Sequence, residues 1–170
     1  MEFVSFEKLY NTDFYLSEVL AKPQFWASRG NVYNALGKPK ISHTLLWFKN
    51  CSATITDSMG NVLEVTQNQL TYMAKGLEYV VEFRDTDPSR EDTVVIHFQM
   101  TDRQGKDIAA SPYPMVFVSN VDSSLALSIE LMVQECKNNI VCVPALCGEL
   151  YKILALICQK QKRRITRDKY

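Results

Sequence analysis

The sequence predicts a mainly β domain followed by two α-helices, on three observations. Between about residues 28 and 118, short apolar segments alternate with turn signals, a spacing typical of a β-sandwich or β-barrel. After that point the apolar residues recur at helical spacing. The chain of 170 residues, 46% of them hydrophobic, is long enough to bury one sizeable core. We therefore expect one β-rich unit with a helical segment behind it.

The predicted strands are separated by residues that favour turns. "HTLLWF" and "ATIT" flank "KNCS", and "SMGN" predicts a hairpin turn before "VLEVT" because Gly60 and Asn61 tolerate positive φ. "LEYVVEF" leads into the charged loop "RDTDPSRED", where Pro88 interrupts strand pairing. "TVVIHFQM" and "YPMVFV" complete the series. Strands that recur in this way favour a sheet-on-sheet or barrel core.

Two amphipathic helices are predicted after the strands. The first runs from about Asp122 to Lys137, with Asp122 or Ser123 as its N-cap. The second has Pro144 in its first turn, where proline is well tolerated. Each helix carries an apolar stripe that must be buried, formed in the first by Leu125, Ile129, Met132, Val133 and Cys136, and in the second by Leu146, Leu150, Ile153, Leu154 and Ile157.

The charge pattern excludes some classes of protein. Lys+Arg and Asp+Glu are both 19, which excludes a strong electrostatic footprint for nucleic acid over the whole chain. From Lys160 onward, however, six basic residues face one acid, Asp168. This segment is either a solvated helix end that runs into a linker, which we favour, or a tail that contacts phosphates.

The five cysteines and the N-terminus indicate the compartment. An odd number of cysteines, with no Cys-x-x-Cys pair, predicts neither a disulfide framework nor a zinc ribbon. No signal peptide precedes the first strands, and the longest apolar run near the C-terminus, "ILALIC", is too short to span a bilayer. We expect a soluble, cytoplasmic protein with no membrane partner.

No catalytic or metal-binding motif is recognisable. A metal in a small barrel would need several converging ligands, whereas the only two histidines, His43 and His97, lie on different predicted strands. The chain has no Gly-x-Ser-x-Gly elbow and no glycine-rich phosphate loop. We therefore expect no enzyme, no metal and no cofactor.

Strand periodicity raises the question of which faces are buried. One face of the predicted strand "TVVIHFQM" is wholly apolar and must pack on a core; it consists of Val94, Ile96, Phe98 and Met100. The other face is mixed and contains His97. In "HTLLWFK", His43, Trp47 and Lys49 share the other mixed face. A mixed face is either solvent-exposed exterior or the lining of a polar cavity, and spacing leaves both open.

The stretch "TQNQLTYMAKGLEY", Thr66 to Tyr79, resembles a line of AraC-type bacterial transcription regulators. In their N-terminal sensor domains it approximates Leu-x-Pro-Gly-Asp-Leu-x-x-(Leu/Ile)-Pro-x-Gly. Here Leu70, Met73 and Gly76 keep the pattern, while the two prolines, the first glycine and the aspartate are lost. Asn68 replaces that glycine, which is physically reasonable because Asn enters the left-handed region readily. "SHTLLWFKNCSATIT" before it, and "TVVIHFQMTDRQGKDI", "YPMVF" and "CGELYKILALI" after it, extend the resemblance over about residues 25 to 160.

This resemblance implies a cupin-like jelly-roll β-barrel that senses an effector, followed by two antiparallel helices that form a homodimer. DNA would be read by a helix-turn-helix domain absent from this chain. The implied division is an N-terminal arm over 1–27, a barrel over 28–120, a dimerisation segment over 121–163 and a linker over 164–170.

The resemblance also implies site residues. An effector, a sugar or another small polar compound, would contact His43, Trp47, Lys49, Tyr79 and His97. The dimer contact would use Leu146, Leu150, Tyr151, Leu154 and Cys158. The alternative is a stand-alone cupin-type protein that binds a sugar or acts as an enzyme.

Overall fold

The computed structural model describes residues 1–9 and 11–168, with all side chains in those ranges except Phe6, Glu7 and Ile165. The described residues form eleven strands, three α-helices and one short 3-10 helix. In chain order these are β1 (Glu2–Phe3), α1 (Phe6–Leu9), β2 (Tyr15–Gln24), the 3-10 helix (Ala27–Arg29), β3 (Val32–Asn34), β4 (His43–Trp47), β5 (Ser52–Asp57), β6 (Val62–Val65), β7 (Leu70–Met73), β8 (Tyr79–Arg84), β9 (Thr93–Thr101), β10 (Ile108–Ala109), β11 (Met115–Val118), α2 (Ser123–Cys136) and α3 (Val143–Arg167).

Nine of the strands form two antiparallel sheets. One has five strands in the order β11-β7-β4-β9-β2, and the other has four in the order β3-β8-β5-β6. The remaining strands, β1 and β10, pair with each other in parallel. The predicted fold class, mainly β with two C-terminal helices, is confirmed.

The two faces of the five-stranded sheet contact different layers. One face packs on the four-stranded sheet through a core that includes Leu46, Phe48 and Val95. The other face packs on α2 and α3 through a core that includes Leu45 and Ile96. Successive side chains of a strand point to opposite faces, so each central strand contributes to both cores.

The register of β4 against β9 determines which residues share a face. Thr44 lies opposite His97, and His43 lies opposite Phe98. Directly opposite residues in an antiparallel pair project to the same side of the sheet. His43 therefore lies on the helix-facing side with Phe98, and His97 lies on the sheet-facing side with Thr44.

The helices begin and pack as the sequence predicts. Asp122 is the N-cap of α2, and its carboxylate accepts a 3.0 Å hydrogen bond from the Leu125 backbone N–H. All of the predicted apolar stripe residues of α2 and α3 are buried, apart from a half-buried Cys136. Asp122 forms an ion pair with Lys160, and the Cys142 N–H donates to Glu135 at 2.8 Å, so the two helices run antiparallel.

Two predicted segment boundaries are corrected. Residues 1–27 are not an arm, because Tyr15–Gln24 pairs with β9 as an edge strand of the five-stranded sheet. The predicted linker over 164–170 is helical through Arg167, and residues 169–170 lie outside the described residues. Within the described chain, no helix has the length and apolar character needed to cross a bilayer.

Candidate functional site

A cavity of about 200 Å³ opens between the two sheets. Its lining comes from β2, the segment after it, β3, the loop before β4, and strands β4, β8 and β9. The cavity has an apolar floor and a polar mouth. The lining residues are Lys22, Gln24, Trp26, Arg29, Tyr33, Lys40, Thr44, Leu46, Tyr79, Val81, Phe83, Val95 and His97.

Aromatic rings form much of the floor. Trp26 stacks on Phe83, with ring centroids 4.3 Å apart and an angle of 12° between the ring planes. The ring centroids of Tyr33 and Tyr79 are 6.0 Å apart. Trp26 is fixed at both of its N–H groups: the backbone N–H donates to the Asp92 carboxylate at 2.7 Å, and the indole N–H donates to the Thr93 hydroxyl at 2.9 Å. The floor is therefore a preorganised aromatic surface.

Basic side chains form the mouth. Lys22 and Arg29 are exposed and Lys40 is half-buried. The Lys40 Nζ donates to the Tyr33 hydroxyl at 2.9 Å and lies 5.0 Å from the centroid of that ring. The Arg29 guanidinium lies 5.5 Å from the Trp26 ring. These aromatic contacts hold positive charge close to the rim of the cavity.

His97 connects the floor to the mouth. Its Nδ1 lies 3.3 Å from the Ser42 hydroxyl and 3.4 Å from the Thr44 hydroxyl. Burial lowers the pKa of His97 to about 4, and the positive charges of Lys40 and Lys22 act in the same direction. The imidazole is therefore neutral near pH 7 and can accept or donate a hydrogen bond.

Two of the five predicted effector residues line this cavity. Tyr79 is 3% exposed, and burial raises the pKa of its hydroxyl, so the phenol stays protonated. His97 lies in the same cavity, so the mixed face of β9 points inward. The inward residues of β4 are Thr44 and Leu46, which alternate along the strand with His43 and Trp47 of its mixed face.

The other three predicted residues, His43, Trp47 and Lys49, lie on the helix-facing side of the sheet. The expectation that all five share one site is therefore corrected. The physical reason is the strand register, which places His43 opposite Phe98 and Trp47 opposite Val94, on the face that packs against the helices. Their polar atoms bond to partners within the protein, except His43 Nε2, which is buried without a hydrogen-bond partner among the described residues.

His43 is fully buried. Its Nδ1 lies 2.9 Å from the Tyr72 hydroxyl and accepts the Lys75 backbone N–H at 3.2 Å. Burial lowers the pKa of His43 to about 4; the Asp107 carboxylate opposes this effect and Lys75 adds to it. His43 is a core residue that holds the end of β7, with no access to the cavity.

Lys49 joins the barrel to α2. Its Nζ donates to Glu91 at 2.9 Å and to Glu130, on α2, at 2.5 Å, and it lies 5.5 Å from the Trp47 ring centroid. Burial opposes the charge of Lys49, but the hydrogen bonds to Glu130 and Glu91 outweigh it and raise its pKa. This cation therefore has a structural role.

Sequence analysis missed most of the cavity mouth. Lys22, Arg29 and Lys40 lie outside every predicted strand, in segments without clear periodicity. One signal was present: Lys22 and Gln24 alternate with Ala21 and Pro23 at the end of β2. Pro23 argues against a central strand but suits an edge strand, which β2 is.

The predicted dimer stripe is mostly internal. Leu146, Leu150 and Leu154 are 2%, 0% and 5% exposed and belong to the core beneath the helices, so the expectation that they face a second copy is corrected. The Tyr151 hydroxyl accepts the Leu16 N–H at 3.0 Å and donates to the Phe14 carbonyl at 2.9 Å. Cys158 is half-buried beside Leu154 in a separate groove.

Among the described residues, no group of three or more His, Cys, Asp or Glu side chains could hold a metal ion.

No protein-family model and no curated protein sequence matches the chain. Among solved structures, the chain is similar to ToxT from Vibrio cholerae, with 13% sequence identity and a TM-score of 0.41. The similar region covers 88% of this chain and 57% of the ToxT chain. The chain thus spans little more than half the length of that protein.

Proposed function

We propose that the chain is the effector-sensing and dimerisation domain of an AraC-type transcription regulator, with the inter-sheet cavity as the effector site. DNA recognition would belong to a helix-turn-helix domain outside this chain. The observation that carries the proposal is the cavity itself, an apolar floor with convergent polar groups at its mouth. This is the usual composition of a small-molecule site. The order of strands and helices, together with the line around Asn68 and Gly76, supports the choice of family.

The cavity is better suited to binding than to catalysis. Its one imidazole, His97, is hydrogen-bonded only to hydroxyl groups among the described residues, so no carboxylate orients it as a general base. The Tyr79 hydroxyl is kept protonated by burial. We therefore propose that the protein senses its ligand by binding it and does not convert it chemically.

The test is a thermal-shift screen against small acids, amines and sugars. A ligand that binds only the folded state raises the melting temperature, by an amount equivalent to about 2.7 kcal/mol when its concentration is 100 times Kd. We expect one chemical class to raise it. Val81→Phe, which fills the floor of the cavity, should abolish the shift, because Val81 is 1% exposed and lines the cavity.

Val80→Phe is the matched control. Val80 neighbours Val81 on β8 but is not a lining residue, so the same change there should leave the ligand shift intact. A screen with no stabilising compound, or a shift that survives Val81→Phe, would contradict an effector site in this cavity.

We propose that the dimer contact lies on the outer surface of α2, because the apolar stripe of α3 is buried within the chain. Exposed residues along this helix recur at steps of three and four and carry no charge: Ser124, Leu127, Leu131 and Gln134. Steps of three and four are typical of helix–helix contacts, and an uncharged stripe can face its own copy across a two-fold axis without repulsion. Leu127 and Leu131, 60% and 45% exposed, would form its centre.

Light scattering over a range of protein concentrations tests the dimer. We expect Leu131→Glu to shift the protein toward monomer with little loss of folded stability, and Ser124→Glu, at the end of the stripe, to have a smaller effect. A wild-type protein that stays monomeric at high concentration yet binds a ligand would instead support a stand-alone small-molecule-binding protein.

A further inference from the structure

We propose that the inter-sheet cavity takes a small organic anion, with its charged group held by Lys22, Arg29 and Lys40 and its apolar body on the aromatic floor. This inference rests on the proposed function and names the chemical class of the effector. It replaces a sugar as the expected ligand.

The charge of the lining is one-sided. Lys22, Arg29 and Lys40 all line the cavity, and no aspartate or glutamate whose side chain the structure describes does so. None of these three cations forms an ion pair with a carboxylate among the described residues, although six other basic side chains do: Lys49, Lys75, Arg84, Arg103, Lys152 and Lys160. Cations gathered at one opening repel each other, and a bound anion would remove that cost.

The electric field of these cations reaches into the cavity. Beyond the effect of burial, the positive charges of Lys40 and Lys22 lower the pKa of His97, which lines the same cavity. An anion placed among them would be stabilised by the same field. Lys40 is also oriented: one of its three N–H groups bonds the Tyr33 hydroxyl, which leaves two to donate to a ligand.

The geometry fits an anion with a compact apolar body. Apolar and aromatic side chains, Trp26, Val81, Phe83 and Val95, are each at most 5% exposed at the floor. The cavity of about 200 Å³ is smaller than the roughly 300 to 1,000 Å³ typical of pockets for drug-sized ligands. A single ring bearing a carboxylate or phosphate would use both parts of the lining.

The test uses benzoate and phenyl phosphate as anionic probes and benzamide as the neutral analogue of benzoate. Binding is followed by NMR of the two imidazole side chains. His97 lies in the cavity, while His43 lies on the opposite face of the sheet and serves as an internal reference. We expect an anion to shift the His97 signals and raise its pKa, to leave His43 unchanged, and to bind roughly tenfold or more tightly than benzamide.

Lysine variants test the anchoring. Lys40→Met and Lys22→Met should each weaken anion binding by about threefold to tenfold, because each removes one favourable charge. Lys38→Met is the control, since Lys38 is exposed in the same loop as Lys40 but does not line the cavity. Preference for benzoate or for phenyl phosphate would distinguish a carboxylate effector from a phosphate effector.

The outcomes separate this inference from the proposed function. Suppose that Val81→Phe blocks binding of a compound from the screen, but that neutral analogues bind as tightly and Lys40→Met has no effect. The anion class is then wrong, and the sensing function stands. If neither anion perturbs His97 at millimolar concentration, the anion class is overturned. If no compound of any class is sensitive to Val81→Phe, both fail.

Discussion

The Trp47 indole N–H donates a 3.1 Å hydrogen bond to the side-chain oxygen of Asn68. Asn68 lies at φ 66°, in the left-handed region, in the turn before β7. Its amide group donates to the Asn120 side chain at 2.7 Å and to the Val121 carbonyl at 2.9 Å. One residue therefore ties the end of β4 to the segment that leads into α2.

Asn68→Ala should destabilise the protein by about 4 kcal/mol, because three side-chain hydrogen bonds are lost and strain is added. The change removes side-chain hydrogen bonds worth about 1 kcal/mol each, and it places a Cβ-bearing residue without local compensation at positive φ, which costs about 1 kcal/mol more. Urea denaturation gives the free energy of unfolding. Asn68→Gly isolates the hydrogen bonds, because glycine adopts this φ freely. Equal stability of both variants and wild type would contradict this role.

Leu154→Ala should lower the free energy of unfolding by about 2–5 kcal/mol, the usual range for a leucine truncated in a core. Leu154 is 5% exposed and packs within its own chain. The matched control is Leu127→Ala, at an exposed position of α2. It should change the free energy of unfolding by about 0.5 kcal/mol or less. If Leu154→Ala leaves unfolding unchanged and only dissociates a dimer, the stripe of α3 is an intermolecular surface after all.

Stability should fall as the pH drops from about 6.5 to about 4, in part through His43. Its pKa is about 6.5 in the unfolded chain and about 4 in the folded protein, so in this window the unfolded state binds more protons and is favoured by acid. The full difference corresponds to a loss on the order of 3 kcal/mol.

The check compares denaturation of wild type and His43→Gln at several pH values. Gln cannot titrate, so the variant should be less stable at pH 7 but should depend less steeply on pH in this window. Parallel pH profiles for the two proteins would show that His43 does not contribute. His97→Gln, on the cavity face, should flatten the profile as well, by a smaller amount because His97 is partly exposed.

Lys49→Met should loosen α2 from the barrel at modest cost, about 0.5–1 kcal/mol in unfolding free energy. Lys49 and its two carboxylate partners are each about a quarter to a third exposed, which limits the strength of such pairs. Hydrogen exchange of α2 amides is the more sensitive measurement and should speed up selectively. Arg84 pairs with Glu64 and joins β8 to β6 across the other sheet. Arg84→Met should therefore leave the hydrogen exchange of α2 amides unchanged.

The periodic elements could be predicted from the sequence, while the partners of their polar residues could not. The apolar face of β9 and the stripes of both helices are buried as expected, because long regular apolar patterns have few alternatives. The face of β4 with His43, Trp47 and Lys49 appeared suited to a polar cavity. It is instead a face that packs on the helices, and its polar groups bond to residues distant in sequence: Tyr72, Lys75, Asn68, Glu91 and Glu130.

The edge strand β2 was missed for a local reason. A β-bulge between Ser17 and Leu20, with Glu18 at φ 50°, breaks the alternation that would mark a strand. Because Lys22 belongs to this strand and Arg29 follows it, part of the cavity mouth could not be placed either. The stripe of α3 was recognised correctly, but a stripe alone does not distinguish burial against β2 and α2 from burial against a second copy.

The strict alternation along β4 and β9 has a consequence for how such a domain can change its ligand. Positions 44, 46, 95 and 97 face the cavity, while 45, 94, 96 and 98 hold the helices. Substitutions in the first set can alter specificity without disturbing the second. A lineage, or a protein engineer, could therefore retune recognition in small steps, each of which preserves the packing of α2 and α3.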